Sequence, residues 1–203
     1  MLLVTGFGRF PARRSIRPKN RRRARRRLRR LARLGWRIER RVLPVEWARL
    51  PAELARLEAE LAPDATLHLG LAARRRGVTV EARAHNRRRP LSCDAAGRRA
   101  GDPRIDAAAP FTRPATVDVA RMTVALSHAA PTAVSREAGA YLCNLALWGR
   151  LAAPPAALSS SSMFRRPCPA VRSARRGCAP RPDLADLIRA AKAACLTLIA
   201  AAR

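Results

Sequence analysis

Short apolar segments alternate along this chain with segments of helical periodicity, and the alternation leaves few possible folds. Residues 2–5 form a short apolar run that ends at Gly6, and residues 65–71 form a second one. Such runs are typical of buried parallel strands. Between them, leucines recur at helical spacing, at positions 50, 54, 57 and 61. The pattern predicts a three-layer α/β/α sandwich around a central, mostly parallel mixed sheet.

The remaining segments continue the pattern, with one exception. We predict strands over residues 37–43 and 132–135, and helices over residues 117–126, 139–151 and 182–202. Residues 87–118 are rich in proline, glycine and arginine, which indicates a long loop acting as a lid or binding segment. Residues 154–180 have the composition of a linker and no strand pattern. We expect a single domain over residues 1–203, with an irregular segment at 154–180.

The sequence contains neither a predicted membrane span nor a predicted signal peptide. No run approaches the roughly 20 apolar residues that a membrane span needs. The first residues, Met1 to Gly6, contain no basic region of the kind that opens a signal peptide. We therefore expect a cytoplasmic protein with no membrane contact.

The net charge of +28 suggests a polyanionic partner. Of the 42 basic residues only Lys19 and Lys192 are lysine, which leaves 42 − 2 = 40 arginines. Such a skew is typical of a GC-rich coding sequence, although an arginine-rich nucleic-acid-binding protein that uses residues 13–41 remains the alternative. Within residues 13–34, Ala24, Leu28 and Leu31 share one helical face, which predicts an amphipathic surface helix. Non-specific polyanion binding is expected in either case.

The five cysteines form no C-x-x-C pair and no spacing typical of zinc ligands. We therefore expect no disulfide framework, no metal and no cofactor. Cys143 stands apart because it follows a short strand and lies in the opening turns of a predicted helix. The partial positive charge of a helix N-terminus favours a thiolate, the nucleophilic form of cysteine. Cys143 is our candidate nucleophile, and the alternative is a buried, unreactive thiol.

Residues 78–85 alternate between apolar and polar side chains, which predicts one continuous strand. Glu81, Arg83 and His85 share the polar face of that strand. Glu81 is a candidate catalytic carboxylate, and the alternative is a solvated carboxylate on the strand surface. Two aromatic residues, Phe7 and Phe10, lie in the loop after the first strand, where they either line a site or pack beneath the loop.

Three motifs together resemble the pyroglutamyl peptidase type I family of cysteine peptidases. The first residues, 3–10, resemble that family's V-T-G-F-x-x-F start. Residues 81–86 are similar to its E-x-x-A-x-N strand, and residues 135–144 resemble its S-x-x-A-G-x-Y-x-C-N nucleophile motif. The three occur in the family's order, and the resemblance covers residues 1 to about 151 and returns in the terminal helix.

The resemblance implies removal of an N-terminal pyroglutamyl residue from peptides, by a homo-oligomer. It gives Cys143 the role of nucleophile. It makes Glu81 the carboxylate that orients a histidine base, and it implies that Phe7 and Phe10 hold the five-membered ring.

The chain departs from the family at three positions. Leu71 and Leu91 stand where family members carry a pocket glutamine and an arginine near the oxyanion. The family's F-x-H-x-P histidine has no counterpart, because residues 164–167 read Phe-Arg-Arg-Pro. Two explanations for the missing histidine are open. The chain is a catalytically inactive family member, or its reading frame is shifted over about residues 159–175. A third possibility is His85 acting as a substitute base for Cys143.

Overall fold

The computed structural model describes residues 1–8, 35–72, 75–152, 158–164 and 182–202. These residues form eight strands and four helices. The strands are β1 (Leu2–Phe7), β2 (Ile38–Leu43), β3 (Ala65–Leu71), β4 (Val78–Glu81), β5 (Arg83–His85), β6 (Thr112–Pro114), β7 (Thr132–Ser135) and β8 (Leu158–Phe164). The helices are α1 (Arg49–Leu61), α2 (Val119–Ser127), α3 (Leu142–Ala152) and α4 (Leu184–Ala201).

Six strands form the central sheet, in the order β2-β1-β3-β8-β4-β7. Strands β2, β1, β3 and β8 run parallel to one another. Strand β4 is antiparallel to β8 and parallel to β7. The sheet is therefore mixed and mostly parallel, as the sequence predicted.

Helices cover both faces of the sheet, which confirms the three-layer prediction. Alternate residues of β1 point to opposite faces. Leu2 packs in the cluster formed with α2 and α4, and Leu3 packs in the cluster formed with α1 and α3. Both side chains are buried. The continuous apolar runs of β1 and β3 thus reflect burial on both faces.

Strand β8 corrects the prediction that residues 154–180 contain no strand. It pairs with β3 along its whole length and with β4 at Ser162 and Met163. A strand with partners on both sides satisfies its backbone hydrogen bonds without an apolar sequence. The remaining residues of that segment, 154–157 and 165–180, lie outside the described residues.

The predicted strand over residues 78–85 is also wrong, because the chain leaves the sheet at Ala82. The Ala82 N–H donates to the Ser135 carbonyl, and its own carbonyl accepts from Ala115 N–H. Strand β5 then pairs with β6 in a separate two-stranded sheet. Part of the loop predicted over residues 87–118 is therefore strand β6.

Three helices begin two or three residues after their predicted starts, and the first of them, α2, begins at Val119 rather than at residue 117. Gly139 has a left-handed φ of 82°, so α3 begins only at Leu142. Helix α4 begins after a capping box. The Asp183 carboxylate accepts from Asp186 N–H, and the Asp186 carboxylate accepts from Asp183 N–H. The helix predicted within residues 13–34 lies outside the described residues. None of the four described helices has the length and apolar character that crossing a membrane requires.

Candidate active site

Cys143 is the second residue of α3, close to the end of β3. The backbone N–H groups of Leu71 and of Cys143 itself lower the pKa of its thiol, so they lie close to the sulfur. The turn before α3 is held by the Glu137 carboxylate, which accepts from Gly139 N–H at 2.9 Å. The strand, the turn and the helix together fix the position of this thiol.

The ionisation of Cys143 differs from the sequence-based expectation. Burial, and to a lesser extent the nearby charge of Glu81, raise the pKa of its thiol to about 11 against the opposing effect of the two backbone N–H groups. The expected thiolate is therefore wrong for the resting site. Desolvation and a neighbouring carboxylate outweigh the helix N-terminus, so the nucleophile needs a proton acceptor.

Glu81 ends β4 and is only 1% exposed, which excludes the alternative of a solvated carboxylate. Its Oε1 accepts a hydrogen bond from Arg75 Nη1 at 2.8 Å. Burial raises the pKa of the Glu81 carboxyl to about 7, and Ser135 and Arg75 oppose this rise. The Ser135 hydroxyl is nearby but donates to the Glu137 carbonyl at 3.1 Å. Within the described residues Glu81 Oε2 has no hydrogen-bond partner.

Arg75 is a site residue that the sequence did not reveal. Its guanidinium donates to Glu81, to the Thr79 hydroxyl and, at 2.9 Å, to the Glu137 carbonyl. It therefore ties β4 to the turn before α3. In a segment that contains three consecutive arginines, no spacing distinguishes this one from its neighbours.

The three histidines of the chain do not contact Cys143 in the described residues. His68 is buried in β3 and bonds the Thr5 hydroxyl at 2.7 Å. His85 donates from Nε2 to the Arg136 carbonyl at 2.8 Å and lies 3.9 Å from a Glu137 oxygen. His128 is exposed at the end of α2. The structure therefore does not place the substitute base, His85, against the thiol.

The register of β8 shows where an imidazole beside Glu81 would have to stand. Ser161 lies beside His68 of β3. On the other side of β8, Thr79 pairs with Met163 and Val80 pairs with Ser162. Continued by one residue, this antiparallel register would bring Glu81 opposite Ser161. Phe164 lies beside Leu71 instead. Within β8, position 161 is thus the place that this register brings next to Glu81.

Two motif asparagines hold the loops around the site. Asn144 accepts from His85 N–H at 2.8 Å and donates to the carbonyls of His85 and Arg87. Asn86 donates to the Asp106 and Ala109 carbonyls and accepts from two N–H groups, those of Ile105 and Asp106. Both asparagines are buried. They attach the segment after β5 to α3 and to the loop that contains Ile105.

A second anchor joins the tyrosine of the cysteine motif to Cys93 and to Trp47, which precedes α1. The Tyr141 hydroxyl donates to the Cys93 carbonyl at 2.9 Å. Its ring meets Trp47 edge to face, with 5.1 Å between the ring centroids. Asp94 accepts from Trp47 N–H at 2.9 Å. The described cysteines Cys93, Cys143 and Cys195 are free thiols.

The predicted substrate-binding residues are placed only in part. Phe7 is half-buried at the end of β1 and packs against the cluster that contains Leu43. Phe10 lies outside the described residues. Leu71 and Leu91, which replace a glutamine and an arginine of the family pattern, are 57% and 81% exposed. The exposed Leu91 side chain offers no hydrogen-bond donor to an oxyanion.

The fold and the site were compared with known proteins. The sequence profile of the pyroglutamyl peptidase family matches residues 1–159. The pyrrolidone carboxyl peptidase from Thermus thermophilus is 30% identical, with 98% of this chain and 100% of that chain covered and a TM-score of 0.78. Pyroglutamyl peptidase I from Bacillus amyloliquefaciens is 22% identical, covers 98% of this chain and 96% of its own, and has a TM-score of 0.81. A search of curated protein sequences found no match.

The chain therefore has the α/β/α fold of a group of peptidases. The matched profile covers most of the chain and includes the segments around Glu81 and Cys143. The chain belongs to the pyroglutamyl peptidase family.

Proposed function

We propose that this protein is a slow pyroglutamyl peptidase that removes an N-terminal pyroglutamyl residue from peptides, with Cys143 as the nucleophile. The observation that carries the proposal is the position of the Cys143 thiol at the start of α3, near Leu71 N–H and electrostatically coupled to the buried Glu81. A fixed thiol beside a carboxylate is the minimum that acyl transfer to sulfur needs.

The reaction proceeds in two steps. The Cys143 sulfur attacks the carbonyl carbon that links the pyroglutamyl residue to the peptide. The C–N bond breaks, a thioester forms and the peptide leaves as an amine that takes up a proton. Water then hydrolyses the thioester, which releases pyroglutamate and restores the thiol.

Glu81 is the proton acceptor in this proposal. Its Oε2 has no partner in the described residues, and the pKa of its carboxyl, raised to about 7 by burial, is close to neutral pH. A general base works best with a pKa near the working pH. Because no imidazole links Glu81 to Cys143, water relays the proton, and we expect turnover about 10² to 10⁴ slower than with a positioned histidine.

The substrate ring is flat, uncharged and largely apolar, which suits an aromatic contact. We propose that Phe7, and Phe10 by resemblance to the family, hold it. Phe7 ends β1 on the side of the sheet that α3 covers. Leu71 offers no polar side chain where family members carry a pocket glutamine, so we expect a high KM.

The test is release of a fluorescent amine from a pyroglutamyl-amide by the purified chain at pH 7 to 9. We expect slow release that is absent in Cys143→Ala. Cys93→Ala is the matched control, because it removes an exposed thiol and should retain the wild-type rate. Equal release by Cys143→Ala and wild type, or none from a wild-type chain that unfolds cooperatively, would contradict the proposal.

A further inference from the structure

A cavity lies beneath the far end of α3, away from Cys143. Its volume is about 680 Å³, and neither Cys143 nor Glu81 lines it. Helices α1 and α3 form its walls, and β1 and β3 form its floor. Most of its lining is apolar and includes Leu3, Leu54, Leu57, Leu145 and Trp148. A concave apolar space of this size is typical of a small-molecule site.

A buried arginine lies in the wall of this cavity. Arg150 is 7% exposed and lies seven residues after Cys143, about 10 Å along the helix. Its Nε donates to the Thr66 hydroxyl at 3.2 Å, and its Nη1 is 3.4 Å from a Glu58 oxygen. Its Nη2 has no hydrogen-bond partner in the described part of the chain. A buried guanidinium with an unused donor indicates a place for an acceptor.

A buried histidine in the cavity lining has an unused nitrogen as well. His68 is 1% exposed, and its Nδ1 bonds the Thr5 hydroxyl. Its Nε2 has no partner in the residues that the structure describes. Burial, and to a lesser extent the charge of Arg150, lower the pKa of the imidazole to about 4. His68 is therefore neutral at pH 7 and adds a polar contact without adding charge.

We propose that this cavity binds an aliphatic monocarboxylate of medium chain length. The carboxylate bonds Arg150, and the hydrocarbon chain lies against Leu54, Leu57 and Trp148. Charge selects the class of ligand: Arg150 and the half-buried Arg88 line the cavity and repel cations. Glu58 also lines it and pairs with Arg150, so one positive charge remains, which favours a single negative charge over a phosphate dianion. The apolar lining selects a hydrocarbon body over a hydrophilic one.

Calorimetric titration of the full chain with octanoate tests the proposal. The titration is made below the micelle-forming concentration of octanoate and in enough salt to suppress polycation binding. We expect one saturable site. Octan-1-ol has the same chain without the charge, and acetate has the charge without the chain, so both should bind at least tenfold more weakly. Equal binding of octanoate and octan-1-ol would overturn the proposed anion recognition.

Variants separate the cavity from the basic surface. Arg150→Met should remove the preference for octanoate over octan-1-ol, whereas Arg121→Met, on the exposed side of α2, should bind as wild type. Gly149→Leu places a side chain in the cavity beside Leu54, where an added Cβ meets only an ordinary contact at 3.5 Å. Replacing a glycine inside a helix favours the helix, so the variant should stay folded. Its added side chain should prevent octanoate from binding in the cavity.

Glu58→Gln removes the carboxylate that competes for Arg150, and we expect it to bind octanoate several-fold more tightly. Wild-type octanoate affinity in Gly149→Leu would place the binding on the surface and overturn the proposal. So would unchanged affinity in a folded Arg150→Met, or the absence of octanoate binding by the wild-type chain.

Discussion

At Cys143 two electrostatic effects oppose each other. The start of α3 and the Leu71 N–H favour a thiolate, while burial and the charge of Glu81 favour the neutral thiol and raise its pKa to about 11. The neutral form prevails because a buried charge loses its hydration. This balance explains why the site needs a proton acceptor that a solvated thiol would not need.

The contribution of Glu81 to this balance is measurable. Glu81→Gln removes a negative charge, so the pKa of Cys143 falls and the thiolate fraction at pH 8 rises. We expect alkylation of Cys143 by iodoacetamide to become about two- to tenfold faster, since one pKa unit is tenfold in thiolate. The measurement is a mass-spectrometric rate profile from pH 7 to 10, with Glu60→Gln on α1 as the control.

Opposite effects on alkylation and on catalysis separate the two roles of Glu81. The same variant should lose amine release, because the proton acceptor is gone. Faster alkylation together with undiminished release would show that Glu81 is not the acceptor. Unchanged alkylation would show that its charge does not act on Cys143.

His68 makes the stability of the protein depend on pH. Burial lowers the pKa of its imidazole from 6.5 to about 4 in the folded state, so protonation favours the unfolded chain. Its contribution to stability is complete above pH 6.5 and is lost as pH falls toward 4. We expect a loss of about 3 kcal/mol over this range, at about 1.4 kcal/mol per pKa unit.

Denaturant unfolding of His68→Gln between pH 4 and 8 checks this expectation. At pH 8 the variant should be less stable than wild type, because the substitution removes the hydrogen bond between His68 and Thr5. Its stability should fall less steeply than that of wild type as the pH is lowered. His128→Gln removes an exposed histidine and is the matched control. Parallel pH profiles for His68→Gln and wild type would contradict a buried neutral His68.

The elements of the fold differ in how much the sequence reveals. Strands β1 and β3 were predictable because burial on both faces demands apolar residues at every position. Strand β8 was not, because its run of four serines has no apolar pattern, and its strand conformation depends on pairing with β3 and β4. The break at Ala82 was hidden because an alternating pattern continues across it.

The candidate site was predictable to a similar extent. Cys143 and Glu81 stand in motifs whose residue types indicate chemistry, whereas Arg75 is one of many arginines. The roles of Asn86 and Asn144 became visible only when their backbone partners, up to 59 residues away, were placed. The sequence alone also did not show whether Glu81 would be solvated or buried, and the structure shows that it is buried.

Position 161 of β8 gives a gain-of-function prediction. Residues paired in register share a face of the sheet, so Ser161→His places an imidazole next to Glu81, whose Oε2 is unpartnered in the described residues. We expect amine release to rise at least about tenfold, because a positioned general base contributes 10² or more. The measurement is the kcat of the pyroglutamyl-amide assay.

Ser160→His is the matched control for this variant. Successive strand residues point to opposite faces, so the same substitution one residue earlier directs the imidazole away from Glu81. It should leave the rate unchanged. Equal rates for the two variants would show that an imidazole at 161 does not complete the site.

Across the whole molecule, only one basic residue in three has an acidic residue to balance its charge. Its 42 basic residues face 14 acidic ones, a difference of 28. Exposed ion pairs such as Arg56 with Glu53 and Glu60 use the available carboxylates, and each contributes little to stability. The excess charge therefore acts on solubility and on polyanion binding rather than on the fold. The cytoplasmic location and the homo-oligomer remain predictions.

Salt dependence distinguishes general polycation behaviour from a nucleic-acid-binding function. A charge-driven contact releases counterions, so its affinity falls by about 10³ to 10⁵ between 50 and 200 mM salt when 6 to 10 phosphates are contacted. We expect the chain to bind unrelated single-stranded DNA and RNA equally at 50 mM salt, and to be released near physiological salt. Filter binding across a salt series measures this. One sequence retained at physiological salt against excess competitor would instead support the nucleic-acid alternative, because base-specific contacts persist where phosphate contacts are screened.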